Sequence, residues 1–217
     1  MKRIFNLGIP VLLAALATGV EAQTNQVRII DHLMDESRIS SPRSKPVEYV
    51  MLHFSSDVVA HPEAPYDLDR VIATYAGKAS ANYLIDREGN VYRLVKENRV
   101  AWHAGKGVLP WAPYHTNTLN SYSIGIEMMS VSTWNDMKIF MSKAIYDKVA
   151  KKDIGYTDAQ YKSLNLLLTD IRSRCPLVKM DRHNIIAHST YAPGRRSDPG
   201  VLFDWTRIGL PAELPND

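Results

Sequence analysis

The fold of this chain is decided first by a run of mostly apolar residues: Val47-Glu48-Tyr49-Val50-Met51-Leu52-His53-Phe54. Such a run is typical of a strand that is buried on both faces. We therefore predict that the core begins here. His53 lies where this strand is expected to end, and a side chain at the end of a strand is held more rigidly than one on a mobile tail.

After the first strand, the sequence predicts a short helix and then a β-hairpin. Leu68–Tyr75 predicts a short helix with Asp67 as its N-cap and Gly77 at its end. Residues 81–95 contain two strand-like runs around a glycine-containing turn, which is the pattern of a β-hairpin. Because a hairpin joins antiparallel strands, it argues against an all-parallel sheet.

The second half of the chain continues this alternation. Tyr122–Met129 predicts a strand, and Thr157 with Gln160 forms a capping-box pattern that begins a long helix ending before Pro176. A last strand and a short helix are expected at Ile185–Ala187 and Leu202–Ile208. Strands interspersed with helices predict an α/β fold, with a central mixed β-sheet flanked by helices in a single domain.

The first residues have the pattern of a secretory signal. Lys2 and Arg3 precede an apolar run over residues 4–20, and small residues at 20 and 22 suggest cleavage before Gln23. We therefore expect a signal peptide at 1–22, an N-terminal approach segment at 23–46, the functional domain at 47–210 and a C-terminal tail at 211–217. This pattern predicts an exported protein, periplasmic or secreted, without a transmembrane segment once the signal is removed.

A loop bounded by proline and glycine, residues 187–200, carries His188 and Asp198. Zinc binds neutral histidine nitrogens and carboxylate oxygens, and a catalytic site usually has three protein ligands with one open position. His53 is a candidate for the third ligand. A histidine and an aspartate ten positions apart are common, however, and a solvated loop histidine is the alternative.

Charge and cysteine content limit the classes of function. The chain has 26 Lys and Arg against 23 Asp and Glu, and no dense basic stripe with interleaved aromatics, so nucleic-acid binding is not indicated. The single cysteine, Cys175, cannot form an intramolecular disulfide. It falls on the predicted buried face of the long helix, which argues against a nucleophilic role.

Several motifs occur together in a fixed order between Val47 and Trp205. The chain thereby resembles the amidase-2 family of zinc-dependent N-acetylmuramoyl-L-alanine amidases, which includes the phage T7 lysozyme type and the peptidoglycan recognition proteins. The motifs are the strand ending in His53, Ala79–Ile85 with Asp86–Gly89, Ala101–Gly105, Ser123–Glu127 and His188–Gly200.

This resemblance implies that His53, His188 and Asp198 bind one Zn²⁺ ion and that a water occupies the fourth position. The implied reaction is hydrolysis of the amide that joins N-acetylmuramic acid to L-alanine in peptidoglycan or muropeptides. We expect a monomer that acts on this substrate.

The resemblance also suggests roles for residues around the metal. Glu127 is the candidate general base, which would take the proton of the water and deliver it to the leaving amine. Arg196 stands where relatives often carry a lysine that stabilises the oxyanion, and Arg195 could share that role. His103 is a candidate substrate-binding residue, with a hydrogen bond that orders its loop as the alternative.

Two features leave alternatives open. Phage members carry a tyrosine at the position of Ala81, so Glu127 is expected to be the main acid and base here. Some relatives bind muropeptides after losing a zinc ligand, so a non-catalytic peptidoglycan-binding module is the alternative function; here all three ligand positions are filled. A purely structural zinc site would usually have four ligands and be rich in cysteine.

Overall fold

A central six-stranded sheet organises the computed structural model, which describes residues 26–75 and 77–214. The order of strands across this sheet is β1-β5-β4-β7-β3-β8. Their bounds are β1 (Ile29–Asp31), β3 (Tyr49–Ser55), β4 (Tyr83–Ile85), β5 (Val91–Arg93), β7 (Ser123–Met129) and β8 (Ile185–Ala187). Two further strands, β2 (Ser40–Pro42) and β6 (Arg99–Ala101), form a small antiparallel sheet.

The helices of the described residues are short, except for one long helix. They are α1 (Glu36–Ile39), α2 (Leu68–Ala73), α3 (Trp134–Met137), α4 (Lys143–Tyr146), α5 (Asp158–Arg174) and α6 (His188–Tyr191). In the part of the chain that the structure describes, 3-10 turns lie at Leu119–Tyr122, Lys151–Asp153 and Trp205–Ile208. None of the helices in the described ranges is both long enough and apolar enough to cross a membrane.

The predicted mixed sheet is confirmed. At its centre, β3 pairs in parallel with β7 on one side and β8 on the other. The hairpin of β4 and β5 is antiparallel, while β4 runs parallel to β7. Because β3, β7 and β8 run in the same direction, their carboxyl ends meet at one edge of the sheet, the usual place for a binding site in such folds.

Helix α5 covers one face of this sheet. Its predicted capping box is present, with the Thr157 hydroxyl and the Gln160 side chain exchanging hydrogen bonds with each other's backbone amides. Tyr161, Leu164, Leu168 and Ile171 are buried in the main hydrophobic cluster. Cys175, predicted to belong to this face, is the half-buried C-cap residue that packs against the cluster.

Several elements were not predicted. The segment before residue 47 contributes the edge strand β1, which pairs with β5, and also β2.

The helix expected over Leu202–Ile208 is only the 3-10 turn Trp205–Ile208. The expected signal peptide lies outside the described residues, as do residues 215–217 of the tail.

Candidate metal centre and active site

Three ligand atoms converge at the carboxyl edge of the central strands. The Oδ2 atom of Asp198 is 2.7 Å from His53 Nδ1 and 2.9 Å from His188 Nδ1. The two Nδ1 atoms are 3.0 Å apart. All three residues are buried, with 2%, 3% and 4% of their surface exposed for His53, His188 and Asp198. The structure thus brings together the three side chains that the sequence analysis named as ligands.

The chemistry of these three donors fits a metal ion. The other ring nitrogen of His188, Nε2, is 2.9 Å from the carbonyl oxygen of Ala104. A carbonyl can only accept a hydrogen bond, so Nε2 of His188 carries a proton and donates it. The neutral ring then has a lone pair on Nδ1, facing the carboxylate of Asp198. Two lone pairs at this distance repel each other unless a metal cation or a second ring proton lies between them, so the three donors are suited to bind a cation.

The charge states of the donors agree with this assignment. Burial is the main cause that lowers the pKa of His53, and the neighbouring His188 adds to it; against the opposing effect of Asp198, the net pKa is about 4. Burial alone would raise the pKa of Asp198, but its interactions with His188 and His53 outweigh burial and hold that pKa below its usual value. Neutral imidazole and ionised carboxylate are the forms that bind metals.

Local structure explains how each ligand reaches the site. His53 is near the carboxyl end of β3, and His188 opens α6 directly after β8. Asp198 lies in the following loop, where its carbonyl accepts a hydrogen bond from the Ser189 amide at 2.9 Å. The neighbouring Ser197 hydroxyl donates to the carbonyl of Asp136 at 2.8 Å. The loop is therefore fixed from both sides.

The three ligands lie in the wall of a cavity of about 530 Å³. Glu127 and Arg196 line the same cavity near the metal end. Its other walls are largely apolar and come from the loop after β3 and the region around α3, through Val58, Val59, Met137, Phe140 and Met141. An apolar cavity with a few polar groups gathered at one end is the usual form of a small-molecule site.

Glu127 is next to the metal ligands by strand register. It pairs with His53 across β7 and β3, so both side chains point to the same side of the sheet. Its Oε2 atom is buried without a hydrogen-bond partner. Burial and the negative charge of Asp198 raise the pKa of Glu127 well above its ordinary value, while the positive charge of Arg196 opposes this shift. A raised pKa makes a carboxyl group a better proton acceptor, which suits it to accept and return a proton.

The two candidate arginines have different surroundings. The Arg195 guanidinium donates through Nη2 to the carbonyls of Ala104 at 2.8 Å and Lys106 at 2.5 Å. Arg196 lines the cavity, and its guanidinium lies 5.9 Å from the ring centre of Phe140. Arg196 is therefore free to face a substrate, whereas Arg195 braces the loop behind His188.

His103 lies behind His53, where its Nδ1 atom is 3.1 Å from His53 Nε2. It lines part of the cavity but is only 8% exposed. Its other nitrogen, Nε2, is 3.2 Å from the Ser123 hydroxyl. Burial lowers its pKa well below the ordinary value, and the charges of His53 and His188 add to the effect. The ring nitrogens of His103 are thus engaged by the protein itself.

Sequence reasoning missed two hydroxyl groups in this site. Ser55 and Tyr75 line the cavity, and the oxygen atoms of both side chains are buried without a hydrogen-bond partner. Ser55 could have been found, because it lies two residues after His53 on β3 and so faces the same side. Tyr75 follows α2 and carried no local signal. Buried polar atoms left unpaired in a cavity are suited to bind a ligand.

These observations agree with comparisons to known proteins. Residues 43–201 match the family Amidase_2, described as N-acetylmuramoyl-L-alanine amidase. This match covers most of the chain, and the chain belongs to that family. Amidases of this family are zinc enzymes, and the triad of His53, His188 and Asp198 is able to bind one metal ion.

Individual relatives support the same family. The chain is 34% identical over 129 residues to the 1,6-anhydro-N-acetylmuramyl-L-alanine amidase AmpD of Enterobacter cloacae, which spans 59% of this chain and 54% of that protein. It is 26% identical over 216 residues to the N-acetylmuramoyl-L-alanine amidase AmiD of Escherichia coli, spanning 96% of this chain and 67% of AmiD. The chain thus spans about half the length of the AmpD proteins it matches.

A solved structure matches the fold. AmpDH3 of Pseudomonas aeruginosa in complex with anhydromuramic pentapeptide superposes with a TM-score of 0.55 and 30% sequence identity. The match covers 79% of this chain and 62% of that chain. The sheet with its flanking helices is therefore the amidase-2 fold.

Proposed function

We propose that this chain hydrolyses the amide bond between N-acetylmuramic acid and L-alanine in peptidoglycan or muropeptides. The observation that carries this proposal is the convergence of His53 Nδ1, His188 Nδ1 and Asp198 Oδ2 within 3.0 Å at one end of the cavity. A bound zinc ion supplies a Lewis acid that polarises a carbonyl and lowers the pKa of water towards neutrality. We assign these three residues as its ligands.

Glu127 is assigned as general base and then general acid. Its carboxylate takes one proton from the attacking water as the water oxygen bonds to the carbonyl carbon. It then delivers that proton to the alanine nitrogen as the carbon–nitrogen bond breaks. The unpartnered Oε2 atom of Glu127, which faces the ligands from the adjacent strand, supports this role. General acid–base catalysis of this kind typically contributes about 10²- to 10⁴-fold.

We assign Arg196 the role of stabilising the negative charge that develops on the carbonyl oxygen. Its guanidinium lines the cavity, and it is close enough to lower the pKa of Glu127 and of His53. A fixed positive charge that is already in place needs no reorganisation when the oxyanion forms. Arg195 is assigned no direct contact with the substrate, because its guanidinium is bonded to the loop carbonyls of Ala104 and Lys106.

Mass spectrometry of digested substrate tests the activity. Purified peptidoglycan and an anhydromuramyl peptide would each be incubated with the zinc-loaded protein, with the chelated protein and with the protein after zinc is restored. We expect zinc-dependent release of peptides with a free L-alanine amine and an intact muramyl product. Binding to intact sacculi without any release would instead support the non-catalytic module.

We further propose that the protein is exported and acts as a monomer. The support for export is the basic start, the apolar run over residues 4–20 and the small residues before Gln23. N-terminal sequencing of protein recovered from the cell envelope or medium tests this. A chain that begins at Gln23 is the expected result, and a chain retaining residue 1 in the cytoplasm would contradict it. Analytical ultracentrifugation of the purified protein tests whether it is a monomer.

A further inference from the structure

The loop that follows β6, residues 102–105, contacts two of the proposed zinc ligands on their far side. His103 Nδ1 is 3.1 Å from His53 Nε2, and the carbonyl of Ala104 accepts a hydrogen bond from His188 Nε2 at 2.9 Å. In both ligands the nitrogen that faces Asp198 is the other one, Nδ1. Two adjacent loop residues therefore contact the nitrogens that are not available to the metal.

The direction of the hydrogen bonds around His103 follows from Ser123. The Ser123 hydroxyl donates to the Leu119 carbonyl at 2.7 Å. It has only one proton, so it can only accept from the Nε2 atom of His103, 3.2 Å away. A neutral His103 with its proton on Nε2 has a lone pair on Nδ1. His53 must then carry its own proton on Nε2, which leaves Nδ1 of His53 unprotonated.

Both ring nitrogens of His103 have a partner within hydrogen-bond distance. Its side-chain nitrogens contact an imidazole and a hydroxyl, and neither is a carboxylate. The Arg43 guanidinium lies nearby, because its Nη2 atom donates to the Ser123 carbonyl at 2.9 Å. The His103 ring therefore bridges His53 and Ser123 without an anionic hydrogen-bond partner.

Gly125 provides the space in which the His103 ring lies. A Cβ atom at position 125 would lie 2.5 Å from Cγ of His103 and 2.6 Å from Cδ2. The backbone of the loop is fixed as well, since the side-chain oxygen of Asn120 accepts hydrogen bonds from the amides of His103 at 3.0 Å and Ala104 at 2.7 Å. The ring of His103 is thus held by strand and loop together.

We propose that His103 is a positioning residue that, through Ser123, fixes the tautomer of His53 in which Nδ1 is free to bind the metal. The carbonyl of Ala104 does the same for His188. This inference rests on the proposed zinc function, and it replaces the substrate contact expected for His103 from the sequence. Partners of this kind orient metal-binding histidines and raise their basicity.

Zinc affinity measured by competition with a chelator tests the proposal. We expect His103→Leu, which cannot accept a hydrogen bond, to weaken zinc binding by about 10- to 100-fold. His103→Gln retains one acceptor and one donor and should recover part of that loss. His32→Leu, the same change beyond the edge strand β1, should have no effect. Unchanged zinc affinity in His103→Leu would overturn the proposal.

Kinetics at saturating zinc separate the two roles of His103. A positioning role predicts that KM for a muropeptide stays near the wild-type value once zinc is saturating. A substrate-binding role predicts the opposite pattern, a raised KM with unchanged zinc affinity, and that pattern would overturn the proposal. Zinc binding without any cleavage by the wild type would contradict the proposed function but leave the positioning role standing, whereas a wild type that binds no zinc would contradict both.

Nitrogen NMR of the zinc-loaded wild type tests the hydrogen bonds directly and needs no variant to fold. With ¹⁵N-labelled histidine, we expect His103 to be the neutral tautomer protonated on Nε2, with a coupling across the bond from His53 Nε2 to His103 Nδ1. A His103 that is doubly protonated, or protonated on Nδ1, would overturn the proposal.

Discussion

The two faces of strand β7 are equally buried but differ in chemistry. Ile124, Ile126 and Met128 point into the main hydrophobic cluster under α5, and each is 0% exposed. On the other face, Ser123 contacts His103 and Glu127 lines the cavity, and these are 0% and 9% exposed. Burial alone therefore does not distinguish core from site; the polar groups on one face do, among them the unpaired Oε2 atom of Glu127.

This difference has an energetic meaning. An apolar side chain in the core contributes to the free energy of unfolding by leaving water. A buried carboxyl oxygen without a partner costs free energy, because its hydration is lost and not replaced. The unpartnered Oε2 atom of Glu127 therefore destabilises the folded protein, as is expected of a group whose role is catalytic. Substitutions on the apolar face should therefore lower the free energy of unfolding and leave activity nearly unchanged. Substitutions on the polar face should lower activity and leave stability nearly unchanged.

The largest expected effect on the polar side is from Asp198→Ala. The loss of one of three ligands should reduce zinc retention strongly and bring turnover below detection, because the carboxylate balances the charge of the ion. Metal analysis after dialysis, together with the muropeptide assay, measures both. Asp158→Ala, an exposed aspartate on α5, is the matched control. Stoichiometric zinc in an active Asp198→Ala protein would remove Asp198 from the ligand set.

Glu127→Gln separates chemistry from metal binding. We expect turnover to fall by about 10²- to 10⁴-fold, because the amide cannot take the proton of the water. Zinc stoichiometry should be unchanged, and the thermal midpoint should be the same or higher because the buried carboxyl group is gone. Steady-state kinetics and thermal unfolding measure this pair of effects. Turnover at the wild-type rate would rule out the role assigned to Glu127.

Arg196→Ala tests the oxyanion contact. Removal of one such donor typically costs about 10²- to 10³-fold in turnover, with a small change in zinc affinity. Arg195→Ala should behave differently: it removes hydrogen bonds to Ala104 and Lys106, so its main effect should be on zinc retention through His188. If Arg195→Ala lost turnover at saturating zinc while Arg196→Ala did not, the two assignments would be reversed.

Ile126→Ala tests the apolar face of β7 and should have the smallest effect on turnover. We expect a loss of about 2–5 kcal/mol in the free energy of unfolding, because a fully buried side chain leaves a cavity. The zinc content and turnover of the folded fraction should stay within about twofold. Urea unfolding and the activity assay check this. A large loss of turnover in the folded protein would mean that the two faces are not independent.

The sequence predicted the elements whose signals are local. The apolar run of β3, the hairpin of β4 and β5, and the capping box of Thr157 all correspond to observed elements. Strand β1 was missed because it is three residues long, is at most half-buried and pairs with β5 far along the chain. Its position depends on tertiary contacts that no window of sequence contains.

The same division holds for the site. His53, His188, Asp198 and Glu127 were named from motifs, and the structure brings them together. Ser123 and Ala104 lie within the quoted motifs, but no role was predicted for either, since a backbone oxygen has no sequence signature and a serine at a strand start is ordinary. The apolar wall formed by Met137 and Phe140 also depends on how the loops close over the sheet.

Arg43 limits how many residues can be removed from the N-terminus before the hydrogen bonds around the site are lost. Its guanidinium donates to four main-chain carbonyls, those of Glu97, Ser121, Arg99 and Ser123, at 2.8–3.1 Å. A fragment that starts at residue 47 would leave these oxygens without their donor, next to the strand that carries Glu127. We expect such a fragment to be cut by protease at lower concentrations than one that starts at residue 26. We therefore expect the smallest unit that folds with its site intact to begin ahead of Arg43, within the N-terminal approach segment.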